Sequence, residues 1–140
     1  MRIIGLDLGT KTVGVAVSDY LGIIANPIGT LRIEENNLNQ ALELVKNVVK
    51  EQQAEKIVLG LPKNMDNSLG FASERSLSFK EKLESKQELK VNLIDERLST
   101  VEAENILINA DVSRKKRKNV IDELSACIIL DTYLRKEGNK

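Results

Sequence analysis

Residues 2–18 read Arg2-Ile3-Ile4-Gly5-Leu6-Asp7-Leu8-Gly9-Thr10-Lys11-Thr12-Val13-Gly14-Val15-Ala16-Val17-Ser18, and this stretch decides the fold. Arg2 to Leu8 is a short apolar run rich in β-branched residues. Thr12 to Ser18 is a second, in which Val13, Val15 and Val17 alternate. Two such runs joined by a glycine-containing turn, Gly9-Thr10-Lys11, predict a β-hairpin. A strand flanked by Ile3, Ile4, Leu6 and Leu8 is expected to be buried on both faces, which makes Asp7 its most informative residue. An unpaired carboxylate there is costly, so Asp7 needs a cation or hydrogen bonds. Gly5 lies on the same side by the period-two alternation of strands and is expected to leave room beside it.

Working outward, a third strand is expected over residues 23–31, with Gly22 before it and Pro27 marking an edge or an irregularity. From Leu38 the period changes. Leu38, Ala41, Leu42, Val45, Val48 and Val49 recur at helical spacing, so residues 36–53 read as an amphipathic helix packing on the sheet. Residues 56–60 are a short apolar strand of the kind buried in a parallel sheet, and residues 61–69 a loop marked by Pro62, Asn64 and Asn67. A second helix is expected over about 70–87, with Ala72, Phe79 and Leu83 as its apolar positions. The strand Val91 to Ile94 leads into Asp95-Glu96-Arg97. Ser99 and Glu102 form a capping box for a helix whose stripe is Ala103, Ile106, Leu107 and Ala110. Residues 111–118 read as a loop carrying five consecutive cations, Arg114, Lys115, Lys116, Arg117 and Lys118. A last apolar helix runs from Val120 to Lys136 and is stopped by Gly138. Three strands followed by alternating helices and strands imply an α/β sheet that starts antiparallel and becomes parallel.

The chain has 140 residues, 21 cationic and 21 acidic side chains, and 41% hydrophobic residues. That suits one domain over residues 1–140 whose core needs no disulfide or structural metal. With no His and one Cys, serine–histidine hydrolysis, His-ligated metals, imidazole proton shuttling and Cys-rich zinc sites are excluded. Cys127, inside an apolar helical pattern, reads as a small buried hydrophobe. Asp7 interrupts what a signal peptide would need as an apolar stretch, and no run approaches the roughly 18 apolar residues of a membrane span. The expectation is a cytoplasmic protein with no membrane partner. Zero net charge means that a nucleic-acid partner would be held by a local patch.

Two further carboxylates stand out. Asp122 opens the last helix, with Ser125 and Ala126 on its own face. Small residues there would let the helix approach the sheet until Asp122 shares a ligand with Asp7; alternatively, Asp122 and Glu123 only complement the helix dipole. Glu96 closes a strand at its C-terminal end, where the ligand sites of open α/β sheets gather; alternatively, it is a solvated strand end paired with Arg97. Together, the three acids would suit one or two Mg²⁺ or Mn²⁺ ions, which prefer oxygen ligands and support phosphodiester cleavage without histidine. The cationic run beside Asp122 would hold a phosphate backbone close to that site, or be a solvated loop. Aromatic residues make up only 3%, which favours backbone or shape recognition over base stacking. Lys63, Asn64 and Asp66 are candidates for the rim.

At these residues the chain resembles the YqgF family, described as Holliday-junction resolvases and as nucleases for ribosomal RNA precursor ends, within the ribonuclease H-like superfamily. The resemblance covers nearly the whole chain. It rests on Gly5-Leu6-Asp7-Leu8-Gly9-Thr10-Lys11 with Gly14-Val15-Ala16-Val17-Ser18-Asp19, on Gly60-Leu61-Pro62 with Asn64-Met65-Asp66, on Asp95-Glu96-Arg97-Leu98-Ser99-Thr100, and on Ile121-Asp122 with Ser125-Ala126. It implies an α/β ribonuclease H-like fold, a mixed five-stranded sheet in the order 3-2-1-4-5 with helices on both faces. It also implies Asp7, Glu96 and Asp122 as metal-binding catalytic acids. The nucleic-acid contacts would be Lys11, Lys63, Asn64, Arg97 and the run from Arg114 to Lys118. In that sheet order Glu96 must reach about 10 Å across the sheet, two strand spacings, to share a metal with Asp7. The expected activity is a metal-dependent endonuclease, monomeric or homodimeric, acting on structured DNA or a ribosomal RNA precursor. A non-catalytic nucleic-acid-binding module of the same fold is the alternative, and the first motif also resembles the phosphate hairpin of actin-like ATPases.

Overall fold

The opening stretch folds as the sequence implies, with β1 (Arg2–Leu8) and β2 (Thr12–Ser18) pairing antiparallel so that Asp7 stands opposite Gly14. The computed structural model describes residues 2–62, 70–87, 89–95, 105–106, 109–110 and 114–138, with backbone alone at 86–87, 114–120 and 138. β3 (Ala25–Arg32) pairs antiparallel with β2 and forms an edge. The irregularity expected at Pro27 is a bulge: Val15 pairs with Gly29 and Ala16 with Pro27, leaving Ile28 as the extra residue. β4 (Ala54–Leu61) lies parallel to β1, and β5 (Lys90–Asp95) parallel to β4, giving the order β3-β2-β1-β4-β5.

Three helices among the described residues cover this sheet. α1 (Leu38–Gln52) starts two residues later than the periodicity suggests because Asn36 takes a left-handed backbone, φ 58°. Asn37 then caps the helix through a 3.0 Å bond from the Gln40 amide to its side-chain oxygen. The helix ends where Gln53 turns left-handed and its N–H reaches back to the carbonyls of Lys50 and Val49. α2 (Phe71–Gln87) buries Phe79 and Leu83 as expected, but Ala72 is exposed and the other buried positions are Ser73, Arg75 and Ser76.

α3 (Arg114–Gly138) corrects the reading of the cationic run, because Arg114 to Lys118 are its first turns and not a loop. Lys and Arg are good helix formers, and this propensity outweighs an unfavourable position at the positive end of the helix dipole. The helix proposed from Ser99 falls mostly outside the described residues. Asn105, Ile106 and Asn109 are helical, and the Ala110 amide donates to the Ile106 carbonyl at 3.0 Å. Ile106 and Ala110, assigned to a buried stripe, are both exposed.

Each face of the sheet has its own core. Ile4, Leu6, Leu8, Val13, Val15, Ile57 and Leu59 pack against α1 and α2 through Ala41, Leu42, Val45, Phe79 and Leu83. Ile3, Ala16, Val58 and Ile94 pack on the opposite face against Ala126, Ile129 and Leu130 of α3. Burying these aliphatic side chains is the main stabilising term, on the order of 1.5–3 kcal/mol for each one fully buried. Among the described residues, no helix is long and apolar enough to cross a membrane.

Candidate active site

The site follows from alternation along β1. Ile3 belongs to the α3-facing core and Ile4 to the other, so Ile3, Gly5 and Asp7 share the face toward α3. Gly5 was expected to leave room beside Asp7, but α3 takes that room. A Cβ on Gly5 would lie 2.7 Å from Leu130 Cβ and 2.9 Å from the Ala126 carbonyl oxygen. Glycine here lets the helix backbone sit on the strand. Asp7 itself is only partly buried, against the expectation of burial on both faces, and stands near the C-terminal end of β1.

The decisive contact is one strand over. Gly14, the cross-strand partner of Asp7, faces the carbonyl of Asp122, and any Cβ at position 14 would collide with that group. The backbone of α3 at Asp122 thus rests against the sheet directly beside the Asp7 position. Ser125 and Ala126 are fully buried, and α3 approaches the sheet closely as their spacing suggested, with the Ala126 carbonyl against Gly5. Asp122 is then held by its side chain as well. Thr12 Oγ1, on the same face as Gly14, donates to Asp122 Oδ2 at 2.7 Å.

Sequence reasoning singled out Asp7 and Asp122 but missed Thr12 and Gly14. The available signal was the glycine between Val13 and Val15, since a glycine inside a strand marks a bulge or a close backbone approach. One turn beyond Asp122, Ser125 Oγ is buried with no hydrogen-bond partner. A buried donor without an acceptor is costly, and it leaves polar capacity on the inner face of α3 next to the acids.

The remaining candidates divide into described and undescribed residues. Lys11 is exposed on the turn between β1 and β2, at the same end of the sheet as Asp7. β4 and β5 also finish at that end, with Leu61 opposite Asp95. Glu96, Arg97, Lys63 and Asn64 lie outside the described residues, as do the side chains of Arg114, Lys115, Lys116, Arg117 and Lys118. Among the described residues no group of three or more carboxylates, thiols or imidazoles could hold a metal. The arrangement does bring two oxygen-donor carboxylates to one face at the carboxyl end of the central strand, where open α/β sheets place their ligands. Cys127 is half-buried, its Sγ donating to the Ala25 carbonyl at 3.3 Å, and burial together with Asp131 pushes its thiol pKa up. Its burial is less complete than the sequence suggested, and the raised pKa makes it a poor nucleophile.

Comparison with known proteins agrees with this fold. Among solved structures, Thermus thermophilus RuvC in complex with a Holliday junction substrate superposes with a TM-score of 0.61 over 99% of this chain and 96% of that one, at 13% identity. The fowlpox virus resolvase bound to Holliday junction DNA gives 0.58 over 98% and 99%, at 12% identity. These likenesses show a shared RuvC-like, ribonuclease H-like fold. Relatives in sequence are much nearer. A Listeria monocytogenes serotype 4b protein named "Putative pre-16S rRNA nuclease" is 54% identical over 134 residues, 96% of this chain and 97% of the relative. A Staphylococcus saprophyticus protein of the same name is 50% identical over 95% and 94%. The family model described as "RuvX: Holliday junction resolvase" matches residues 1–136, and the chain therefore belongs to the RuvX family, also called YqgF, whose members are named as nucleases.

Proposed function

We propose that this protein is a Mg²⁺- or Mn²⁺-dependent endonuclease that cuts phosphodiester bonds in structured nucleic acid, with the ends of a 16S ribosomal RNA precursor as its first substrate and the cytoplasm as its location. The observation that carries the reading is the seating of Asp122 against Gly14, beside Asp7, with Thr12 orienting the Asp122 carboxylate. Nothing in the core requires two acids there, and a hydrogen bond fixing one of them is what a pre-organised ligand set needs. The names carried by relatives at about half identity support the choice of precursor RNA.

The donor set fits a hard divalent ion, for which carboxylate oxygens are preferred ligands. Asp7 and Asp122 would hold it, with Glu96 as the third acid. When bound, such an ion supplies charge neutralisation at the phosphate and a water acidic enough to attack it. The protein's own groups supply the positions. Thr12 keeps one Asp122 oxygen engaged and so fixes how the carboxylate is turned. Lys11 on the turn meets the negative phosphate backbone at the sheet end, and Lys63, Asn64, Arg97 and the cations Arg114 to Lys118 extend that contact along the substrate. With no histidine in the chain, a proton at the leaving oxygen comes from solvent, from an acid of the cluster or from a neighbouring lysine.

The test is incubation of the purified chain with end-labelled 16S precursor RNA and with a labelled four-way DNA junction, in Mg²⁺, Mn²⁺ or chelator. Cleavage of the RNA that stops on chelation is expected. Cleavage of the junction alone would reassign the substrate, and binding of either without any cleavage would leave a nucleic-acid-binding module.

A further inference from the structure

α2 buries a cation that its apolar pattern does not call for. Arg75 is only 9% exposed, and among the described residues no carboxylate pairs with it. Burial pulls its pKa below the usual arginine value. A buried charge without a counter-ion is costly and persists only where its hydrogen bonds compensate.

Those bonds go to two separate segments. Nη1 donates to Asn36 Oδ1, and Nη2 donates to the Leu8 carbonyl at 3.2 Å, while Nε has no partner. Leu8 ends β1 and follows Asp7 directly. Asn36, in its left-handed conformation before α1, passes the connection onward: its own N–H donates to the Thr10 carbonyl at 2.7 Å. From the same segment the Ile33 N–H donates to the Lys11 carbonyl at 2.9 Å. The turn between β1 and β2 is therefore gripped from behind. On its front side stand Asp7, Lys11 and Thr12, the residue that orients Asp122.

We infer that Arg75 is a positioning residue for this site: its guanidinium fork locks the end of β1 and, through Asn36, the turn over residues 9–11 into one geometry, and so sets where Asp7, Lys11 and Thr12 stand. A lysine replaces it only in part, since a single ammonium lacks the rigid planar fork that holds two acceptors in a fixed geometry. The effect on cleavage rests on the nuclease reading above, whereas the clamp is tested independently of it.

Three variants separate the cases: Arg75→Met, Arg75→Lys and Asn36→Gly. The last keeps the left-handed backbone, at an exposed position, and removes only the side-chain acceptor. Amide hydrogen exchange by NMR is the first readout. Arg75→Met and Asn36→Gly should speed exchange at the Asn36 and Ile33 amides by about tenfold or more, with the β1–β4 ladder as protected as in the wild type and Arg75→Lys intermediate. The second readout is cleavage. In the same variants kcat should fall by about 10-fold to 100-fold while KM moves less, the mark of a misplaced supporting group. Unchanged exchange at Asn36 and Ile33 in Asn36→Gly overturns the clamp, as does unchanged kcat once those amides have opened. If Arg75→Met fails to fold, Asn36→Gly decides alone. A wild-type protein that cuts neither substrate overturns the nuclease reading, and exchange still decides the clamp.

Discussion

The two faces of the sheet are built on opposite rules. Toward α1 and α2 the strands present Ile4, Leu6, Leu8, Val13, Val15, Ile57 and Leu59, large side chains that interlock with Phe79 and Leu83. Toward α3, two of the strand positions are Gly5 and Gly14, and the helix answers with Ser125 and Ala126. The first face excludes water through volume. The second brings backbone against backbone and sacrifices buried area, and it carries Asp7 and Asp122. Both faces carry a core, but on the proposed nuclease reading the chemistry falls on the α3 side alone, so mutations on each side should fail in different ways.

The largest loss of stability is expected on the filled face. Leu6→Ala empties a fully buried position and should cost about 2–5 kcal/mol in urea unfolding, while cleavage per folded molecule stays at the wild-type rate. A smaller stability loss with a complete functional one is expected on the close face. Gly14→Ala forces a methyl group into the Asp122 carbonyl; it should cost about 1–3 kcal/mol as overpacking and abolish cleavage in the folded protein. If Leu6→Ala loses cleavage and Gly14→Ala keeps it, the division between the faces is wrong.

The filled face was legible in the sequence and the close face only in part. The valines of β2 and the helical spacing from Leu38 to Val49 state which side chains turn inward, because periodicity encodes direction. A glycine encodes only missing volume. Gly5 read as room beside Asp7, and nothing local could say that Leu130 and Ala126, more than a hundred residues later, would occupy it. Thr12 was invisible for the same reason, since its hydroxyl acquires meaning only when α3 arrives. The cationic run misled in the other direction. No apolar stripe begins before Val120, so the residues ahead of it read as loop, whereas their intrinsic propensity carries the helix back to Arg114. Asp7 stood out because a carboxylate in an apolar strand is costly enough to require a reason, and Asp122 because Ser125 and Ala126 lie on its own helix face.

A finer cut lies within the close face. Thr12→Val keeps the shape and removes the bond to Asp122 Oδ2; it should cost about 1 kcal/mol of stability and slow cleavage roughly tenfold, equivalent to about 1.4 kcal/mol of barrier. Cleavage at the wild-type rate would show that Asp122 needs no orienting partner. The smallest effect is expected at the opposite end of the sheet, in the turn between β2 and β3. There the Ile23 and Ile24 amides donate to Asp19 Oδ1 at 2.7 and 3.2 Å, and these bonds hold its carboxyl below the usual range. A depressed folded pKa means stability that is present above the unfolded value near about 4 and lost as pH falls through the folded one. Asp19→Asn should therefore flatten the acid limb of the stability profile below about pH 4 and leave cleavage untouched. A change in cleavage would tie this turn to the site.

The most direct test of the central claim, that Asp7 and Asp122 together form a cation-binding centre, is thermal unfolding of the wild type, Asp7→Asn and Asp122→Asn with chelator and with Mg²⁺. Ligand binding to the folded state alone stabilises by about 2.7 kcal/mol at a hundred times Kd. The account predicts a Mg²⁺-dependent rise in melting temperature for the wild type that is largely lost in each variant, although both remain folded in chelator. An equal rise in all three proteins, or none in the wild type, would contradict it.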